Sequence, residues 1–270
     1  MSTVRVLCIG DIVGNPGRTV FQKHIGRLRD ELDIDAVIVN GENSSSIGRG
    51  ITSRIVKFFR HNGVDVVTSG NHIWRNKEIY NYLQSNNDLL RPANYPSSCP
   101  GVGVTTFIAN NVTIGVINIQ GQTFMQDDVD SPFKTAESLL TYLKSKTNVI
   151  IVDFHAEASS EKRAFAEYLN GHVSFVFGTH THVQTADERI MPKGTGCITD
   201  VGMSGPYDSV VGMKVQAAVN RFLYQTPQKY EAATNDVHLC GVFLKVDSGS
   251  GKTVYIERIL FPEFIKTIEQ

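Results

Sequence analysis

Val173-Ser174-Phe175-Val176-Phe177-Gly178-Thr179-His180-Thr181-His182 reads as a short buried strand, a glycine that breaks it, and two histidines emerging at its end. In an extended or turning backbone, one intervening residue lets both imidazoles approach a single small volume from different directions. Two neutral imidazoles converging at a strand end commonly mark a transition metal. The stretch decides the architecture if the rest of the chain repeats its form, an apolar run followed by a polar donor.

Working outward, that form recurs. Residues 149–154 make a buried strand ending at His155, and 159–169 read as the helix between it and the paired histidines. Near the start, the run 4–9 ends at Gly10-Asp11, and Pro16-Gly17 opens a helix to about Leu32, with Phe21, Ile25, Leu28 and Leu32 at helical spacing. Residues 36–40 end at Gly41-Glu42-Asn43, before a helix over about 52–62. Residues 64–68 end at Ser69-Gly70-Asn71-His72, before a helix over about 77–83. This β-α repetition favours a mostly parallel sheet covered by helices. Elsewhere the rhythm changes. Strands at 103–109 and 112–118 flank the hairpin signal Asn110-Asn111. Residues 133–144 and 214–224 read as helices, 185–191 and 196–199 as short strands, and 239–246 with 253–260 as a terminal hairpin. With no internal repeat, low-complexity tract or linker, 1–270 reads as one domain.

Composition narrows the function. The chain is 41% hydrophobic and 20% charged, with formal net charge -1. Surfaces built for nucleic-acid backbones normally carry a basic excess, so stable duplex binding is not expected. Cys8, Cys99, Cys197 and Cys240 are far apart and form no CxxC pair, which reads as free thiols in a reducing compartment. No signal-peptide pattern opens the chain and no apolar run reaches about 18 residues. The expectation is a cytoplasmic protein without membrane contact.

Five strand ends therefore carry donors: Asp11, Glu42-Asn43, Asn71-His72, His155 and His180-x-His182. Ligands of open α/β sheets gather beyond the carboxyl ends of the strands, where scattered segments meet. Oxygen and imidazole donors in this mixture suit iron, manganese or zinc. The set is too large for one ion with an open position, whereas two ions bridged by one carboxylate would use it. Taken singly, Asp11, Asn43 and Asn71 also read as caps or turn residues, and His155 as a satisfied core histidine. The glycines of 10–17 lack the G-x-G-x-x-G spacing and a Gly-Lys-Ser/Thr, and no G-x-S-x-G elbow occurs.

These residues resemble the calcineurin-like metallophosphoesterases, and most of all their YmdB-like branch. The likeness is carried by Asp-Ile-Val-Gly-Asn-Pro-Gly-Arg at 11–18, Arg-Pro-Ala-Asn-Tyr-Pro at 91–96 and Asp-Phe-His-Ala-Glu-Ala at 153–158. Gly-Thr-His-Thr-His-Val-Gln-Thr-Ala-Asp at 178–187 and Thr-Asp-Val-Gly-Met-Ser-Gly-Pro-Tyr-Asp at 199–208 extend it over nearly the whole chain. Two positions depart from the wider superfamily. Val13 stands where that pattern has a histidine, and Glu42 where it has an aspartate; Asn43 could fill the missing slot through its amide oxygen.

The resemblance implies an α/β fold, a four-layer α/β/β/α sandwich of the metallo-dependent phosphatase type. It implies two metal ions, iron ahead of manganese, and a cyclic-nucleotide or related phosphodiester substrate, either 2′,3′- or 3′,5′-cyclic. In this reading the first ion takes Asp11, Glu42, Asn43 and His182, and the second Glu42, Asn71, His155 and His180, with Glu42 bridging. A hydroxide bridging the ions attacks phosphorus, and His72 protonates the leaving group. Asp153, Thr181 and Asp200 are candidates to orient ligands, and Trp74 and Tyr95 to pack or to stack on a base. Phosphomonoester hydrolysis at the same site is the rival activity, and a metal-containing regulatory protein the rival class. The partner is a small phosphodiester; a homo-oligomer is compatible with the sequence.

Overall fold

Alternate residues of a strand face opposite ways, and in this chain both ways lead into apolar cores. The computed structural model describes residues 3–229 and 231–264. Its first half runs β1 (Thr3–Ile9), β2 (Asp11–Ile12), α1 (Gly14–Leu32), β3 (Ala36–Asn40), α2 (Ser53–His61), β4 (Val66–Thr68) and α3 (Ile79–Ser85). The second half runs β5 (Val104–Ala109), β6 (Val112–Gln120), α4 (Pro132–Lys144), β7 (Val149–His155), α5 (Ser159–Tyr168) and β8 (Phe175–Thr179). It closes with β9 (Arg189–Ile190), β10 (Gly196–Ile198), β11 (Met203–Pro206), α6 (Val215–Tyr224), β12 (Val237–Asp247) and β13 (Thr253–Phe261).

The strands form two sheets. One has the order β2-β11-β12-β1-β3-β4, with β13 also paired to β12, and the other the order β5-β6-β7-β8-β10-β9. Leu7, Ile9, Val37 and Val39 pack with Phe21, Ile25, Val56 and Phe59 of α1 and α2. Their strand neighbours Val4, Val6, Cys8 and Ile38 pack instead with Ile114, Val116, Ile151, Phe175 and Phe177 of the second sheet. On that sheet's far face, Ile117, Ile150, Val152 and Phe154 meet Leu140, Leu143 and Phe165 of α4 and α5. The result is four layers, helix–sheet–sheet–helix. Because both sheets are covered on both faces, their strands read as unbroken apolar runs. Phe21 and Phe59 meet edge-to-face at 5.5 Å, and truncating either to alanine should cost about 3–5 kcal/mol.

The expected helices all form, with ends shifted by one or two residues. The sheets are mixed rather than mostly parallel: β1-β3-β4 and β6-β7-β8-β10 run parallel, but β12 runs antiparallel to β1. Two further differences matter. Gly178 does not break its strand, since β8 continues through it to Thr179; a Cβ there would overlap the Thr199 carbonyl, so glycine allows the close pass. The expected strand over 185–191 shrinks to Arg189–Ile190, because Thr185 and Asp187 bond with one another and with residues 199 and 200 instead. At the hairpin, Asn110 and Asn111 both take positive φ (47° and 61°), as a two-residue turn between twisted strands requires. No helix among the described residues is long and apolar enough to cross a membrane.

Candidate metal centre

The parallel strands β1, β3 and β4 of one sheet and β7 and β8 of the other end at one edge of the sandwich. Gly70 makes the closest approach there: a Cβ on it would overlap the His155 ring and Glu42 Oε2. Glu42 and His155 are fully buried. His155 Nε2 lies 2.9 Å from Asn71 Oδ1, 3.3 Å from Glu42 Oε1 and 3.1 Å from His180 Nδ1. Side-chain atoms of Glu42, His155 and His180 lie within 4.8 Å of one another.

The other ring nitrogens fix what these atoms offer. Thr179 Oγ1 donates to Asp153 Oδ1 at 2.7 Å and so accepts from His155 Nδ1 at 2.9 Å. Thr68 Oγ1 and Asn40 Nδ2 also donate to Asp153. His180 Nε2 faces Glu157 Oε2 at 3.1 Å. With the outward nitrogens donating, His155 Nε2, His180 Nδ1, Glu42 Oε1 and Asn71 Oδ1 are four acceptors aimed at one point. Such a focus demands a positive charge. The acid–base balance carries the same mark. Burial opposes charging His155, but Glu42 outweighs it and lifts the imidazole to about 9. Burial and the facing His155 push His180 down to about 3. Burial works to raise Glu42, yet His155 and His72 hold its carboxyl well below the usual range.

A second focus adjoins the first. His182 Nδ1 donates to the Val211 carbonyl at 2.9 Å, which leaves Nε2 as an acceptor 2.9 Å from Asn43 Nδ2. Asp11 Oδ2 accepts from the His180 amide at 3.1 Å. Six buried side-chain nitrogens and oxygens lack a hydrogen-bond partner among the described residues, and two of them, Asp11 Oδ1 and Asn43 Oδ1, fall here. Orphaned buried oxygens are costly unless a cation or water meets them. Burial raises the Asp11 carboxyl, His182 and His155 pull it back, and Glu42 raises it further. Val13, at the position of the absent histidine, is fully buried and donates its amide to Ser204 O at 2.9 Å. The donor set therefore fits metal ions at both foci.

His72 stands beside the first focus, against Glu42. Its ring Nδ1 lies 3.1 Å from Glu42 Oε1 and its amide donates to Glu42 Oε2 at 3.1 Å, while its side chain stays 27% exposed. The structure thus brings Asp11, Glu42, Asn43, Asn71, His72, His155, His180 and His182 to one place.

The loop that delivers the paired histidines is held under strain. His180 (φ 102°), His182 (φ 63°) and Val211 (φ 47°) lie in the left-handed region, which a β-branched valine seldom enters. Asp200 clamps the loop: its Oδ2 accepts from the Thr181 amide (3.1 Å), Thr181 Oγ1 (2.8 Å) and Lys162 Nζ (2.7 Å). Thr181, Asp200 and Asp153 sit where sequence reasoning puts orienting groups. That reasoning misses Thr179, Glu157, Lys162, Asn40 and Thr68. Thr179 and Glu157 lie inside the stretches that resemble known motifs; Lys162 looks like an ordinary helix cation. Trp74 meets Tyr80 and Tyr95 edge-on at 5.5 and 5.4 Å, which makes it a packing residue.

The chain resembles known proteins over nearly its whole length. A family model described as YmdB-like protein matches residues 7–259. A 2′,3′-cyclic-nucleotide 2′-phosphodiesterase of Bacillus subtilis (strain 168) is 44% identical over 257 residues, 95% of this chain and 97% of that protein. Among solved structures, a hypothetical protein from Thermus thermophilus aligns with TM-score 0.89 at 40% identity, covering 96% of this chain and 99% of that one. A structure described as a novel phosphatase of Mycoplasma pneumoniae aligns with TM-score 0.91 at 35% identity, covering 97% and 94%.

Proposed function

The chain belongs to the YmdB-like family, and on that premise we propose that it is a metal-dependent phosphodiesterase of cyclic nucleotides, 2′,3′- ahead of 3′,5′-cyclic. One observation carries the reading: His155 Nε2, His180 Nδ1, Glu42 Oε1 and Asn71 Oδ1 converge beside the partly exposed ring of His72. Glu42, Asn71, His155 and His180 would hold one ion, and Asp11, Asn43 and His182 a second, with Glu42 shared. Carboxylate and amide oxygens mixed with imidazoles suit iron or manganese, and iron is taken first. When bound, the ions polarise phosphoryl oxygens and acidify a water for attack on phosphorus.

The chain's own groups supply the rest. Asp11 and Glu42 bring only two negative charges to the centre, so it stays electropositive once loaded and draws in an anionic diester. Glu42 Oε1 accepts a hydrogen bond from His72 Nδ1–H at 3.1 Å and so fixes the ring. That leaves His72 Nε2 to hand a proton to the departing ester oxygen, a step worth about 10²–10⁴-fold. Asp153, through Thr179, holds a proton on His155 Nδ1, so Nε2 is the nitrogen left for an ion to take once its own proton is displaced. The name of the Bacillus subtilis relative supports the 2′,3′-cyclic class. Residues 1–270 are read as one domain because both sheets build the central apolar layer. A reducing, cytoplasmic setting is supported by the four separate thiols.

The test is a panel of 2′,3′-cyclic, 3′,5′-cyclic and monoester nucleotides offered to protein loaded with iron or manganese, with anomalous scattering to count and identify the ions. Hydrolysis of the 2′,3′-cyclic diesters by a two-ion centre is expected. Activity on monoesters alone would make it a phosphomonoesterase, and inertness on the whole panel would favour a regulatory role.

A further inference from the structure

A cleft of about 620 Å³ opens between α1 and α2, beside the loop that carries Glu42 and Asn43. Its polar walls include Asn15, Arg18, Gln22, Thr52, Arg54 and Asn76. No aspartate or glutamate lines it, and neither arginine has a carboxylate partner at ion-pair distance among the described residues. Glu78 lies close to α2 but is engaged by the amide and hydroxyl of Ser53.

Arg18 is half-buried and Arg54 exposed, and the two uncompensated cations repel each other across the cleft. Burial lowers the Arg18 guanidinium, and Arg54 lowers it further. Arg54 also sits in the first turn of α2, where a cation opposes the helix dipole and the helix's own first turn carries no acid. An anion between the guanidiniums would relieve both conflicts. Arg18 is already oriented for one. Its Nη1 donates to Ser44 O and its Nη2 to Asn15 Oδ1, which leaves three of its five N–H groups to give. Such forks match phosphate as they match carboxylate, and phosphate is the anion a phosphodiester substrate brings next to the metal centre.

The cleft is also tied to the metal centre. The Gly14 amide donates to Asn43 O at 2.9 Å, Arg18 grips Ser44 O, and Ser45 lines the cleft. From Asn43 to Ser45 the chain spans at most about 7 Å. Resting on the phosphodiesterase reading above, we propose that Arg18 and Arg54 bind the neighbouring phosphate of a short single-stranded ribonucleotide whose end carries the scissile cyclic phosphate. The substrate class is then oligonucleotide ends rather than free cyclic mononucleotides.

The experiment compares a 2′,3′-cyclic mononucleotide with a dinucleotide ending in the same 2′,3′-cyclic phosphate. It reads kcat/KM in the metal-loaded wild type and in Arg54→Ala, and Kd in a slow His72→Ala background with and without Arg54→Ala. The dinucleotide should be favoured roughly tenfold to a hundredfold, the worth of a charged hydrogen bond. Arg54→Ala should erase that preference and leave the mononucleotide unchanged. Equal use of both ligands, or a preference that survives Arg54→Ala, overturns the proposal. So does sensitivity of mononucleotide turnover to inorganic phosphate that vanishes in Arg54→Ala without any dinucleotide preference, which would assign the cleft to a free anion. If no cyclic ligand is hydrolysed, the phosphodiesterase reading fails, while the Kd ratio still decides the cleft.

Discussion

His155 Nε2 and His180 Nδ1 face each other at 3.1 Å, and each ring turns its other nitrogen outward, to Thr179 Oγ1 and to Glu157 Oε2. Two imidazole lone pairs at that distance need a proton or a metal ion between them. The outward bonds are therefore what prepare the site. Thr179→Val keeps the shape of the side chain but removes the acceptor for His155 Nδ1 and a donor to Asp153. Metal affinity should fall about 10–100-fold, as is usual when a group orienting a ligand is lost. Titration of metal-stripped variant and wild type reads the effect; unchanged affinity would remove the relay from the account.

Proton and metal compete for the same focus. In the metal-free protein Glu42 outweighs burial and lifts His155 to about 9. At any lower pH a proton sits on that ring and must leave when an ion binds. The sign follows: apparent affinity weakens as pH falls below about 9, by about tenfold per unit for one displaced proton. Calorimetric titrations in buffers of different ionisation enthalpy count the protons released. A count of zero near pH 7 would contradict the assignment of His155 as a ligand.

His72 touches Glu42 twice but lies at the exposed margin of the centre. His72→Ala should lower kcat by about 10²–10⁴-fold while elemental analysis finds metal nearly unchanged. Loss of metal together with activity would make His72 a ligand or a scaffold residue instead.

Gly70 reads in the sequence as one more strand-end glycine, yet it is the spot where the end of β4 passes against the His155 ring. Gly70→Ala would place a methyl group into that ring and Glu42 Oε2, and the ring, fully buried and bonded to Thr179 and Asn71, has little room to yield. The expected outcome is a folded protein that neither retains metal nor turns over substrate, checked by circular dichroism beside elemental analysis. Full metal content in Gly70→Ala would mean that the strand end moves freely.

The sequence discloses what depends on local pattern. Apolar runs ending in Asp11, Glu42, His155 and the paired histidines name the strands and the proposed ligands, because buried runs and strand-end donors are written residue by residue, whereas the four-layer stacking follows from the family resemblance. It conceals what depends on distant pairing. The short strands β2 and β11 are too brief for periodicity to mark, and they exist because Asp11 and Ile12 align with Met203 and Ser204. The antiparallel place of β12 beside β1 likewise has no local signal. Thr179 and Thr68 look like ordinary β-formers until the fold brings both hydroxyls to Asp153.

Lys162 is the clearest such case. On α5 it reads as a surface cation, but its side chain is only 2% exposed and its ammonium meets Asp200, 1% exposed, at 2.7 Å. The same carboxylate oxygen holds Thr181, between two histidines whose left-handed backbones would otherwise relax. Removing one member of a buried ion pair leaves the other charge uncompensated, which typically costs about 3–5 kcal/mol. Lys162→Met should lower stability to denaturant by that much and loosen the histidine loop, so metal affinity drops as well. Combining it with Asp200→Asn removes the stranded charge while keeping an acceptor for Thr181. The double variant should therefore regain part of the stability and part of the metal affinity. If the double variant recovers stability but no metal affinity, the pair serves the fold alone; if Lys162→Met is as stable as wild type, the buried pair contributes nothing and the clamp must be sought elsewhere.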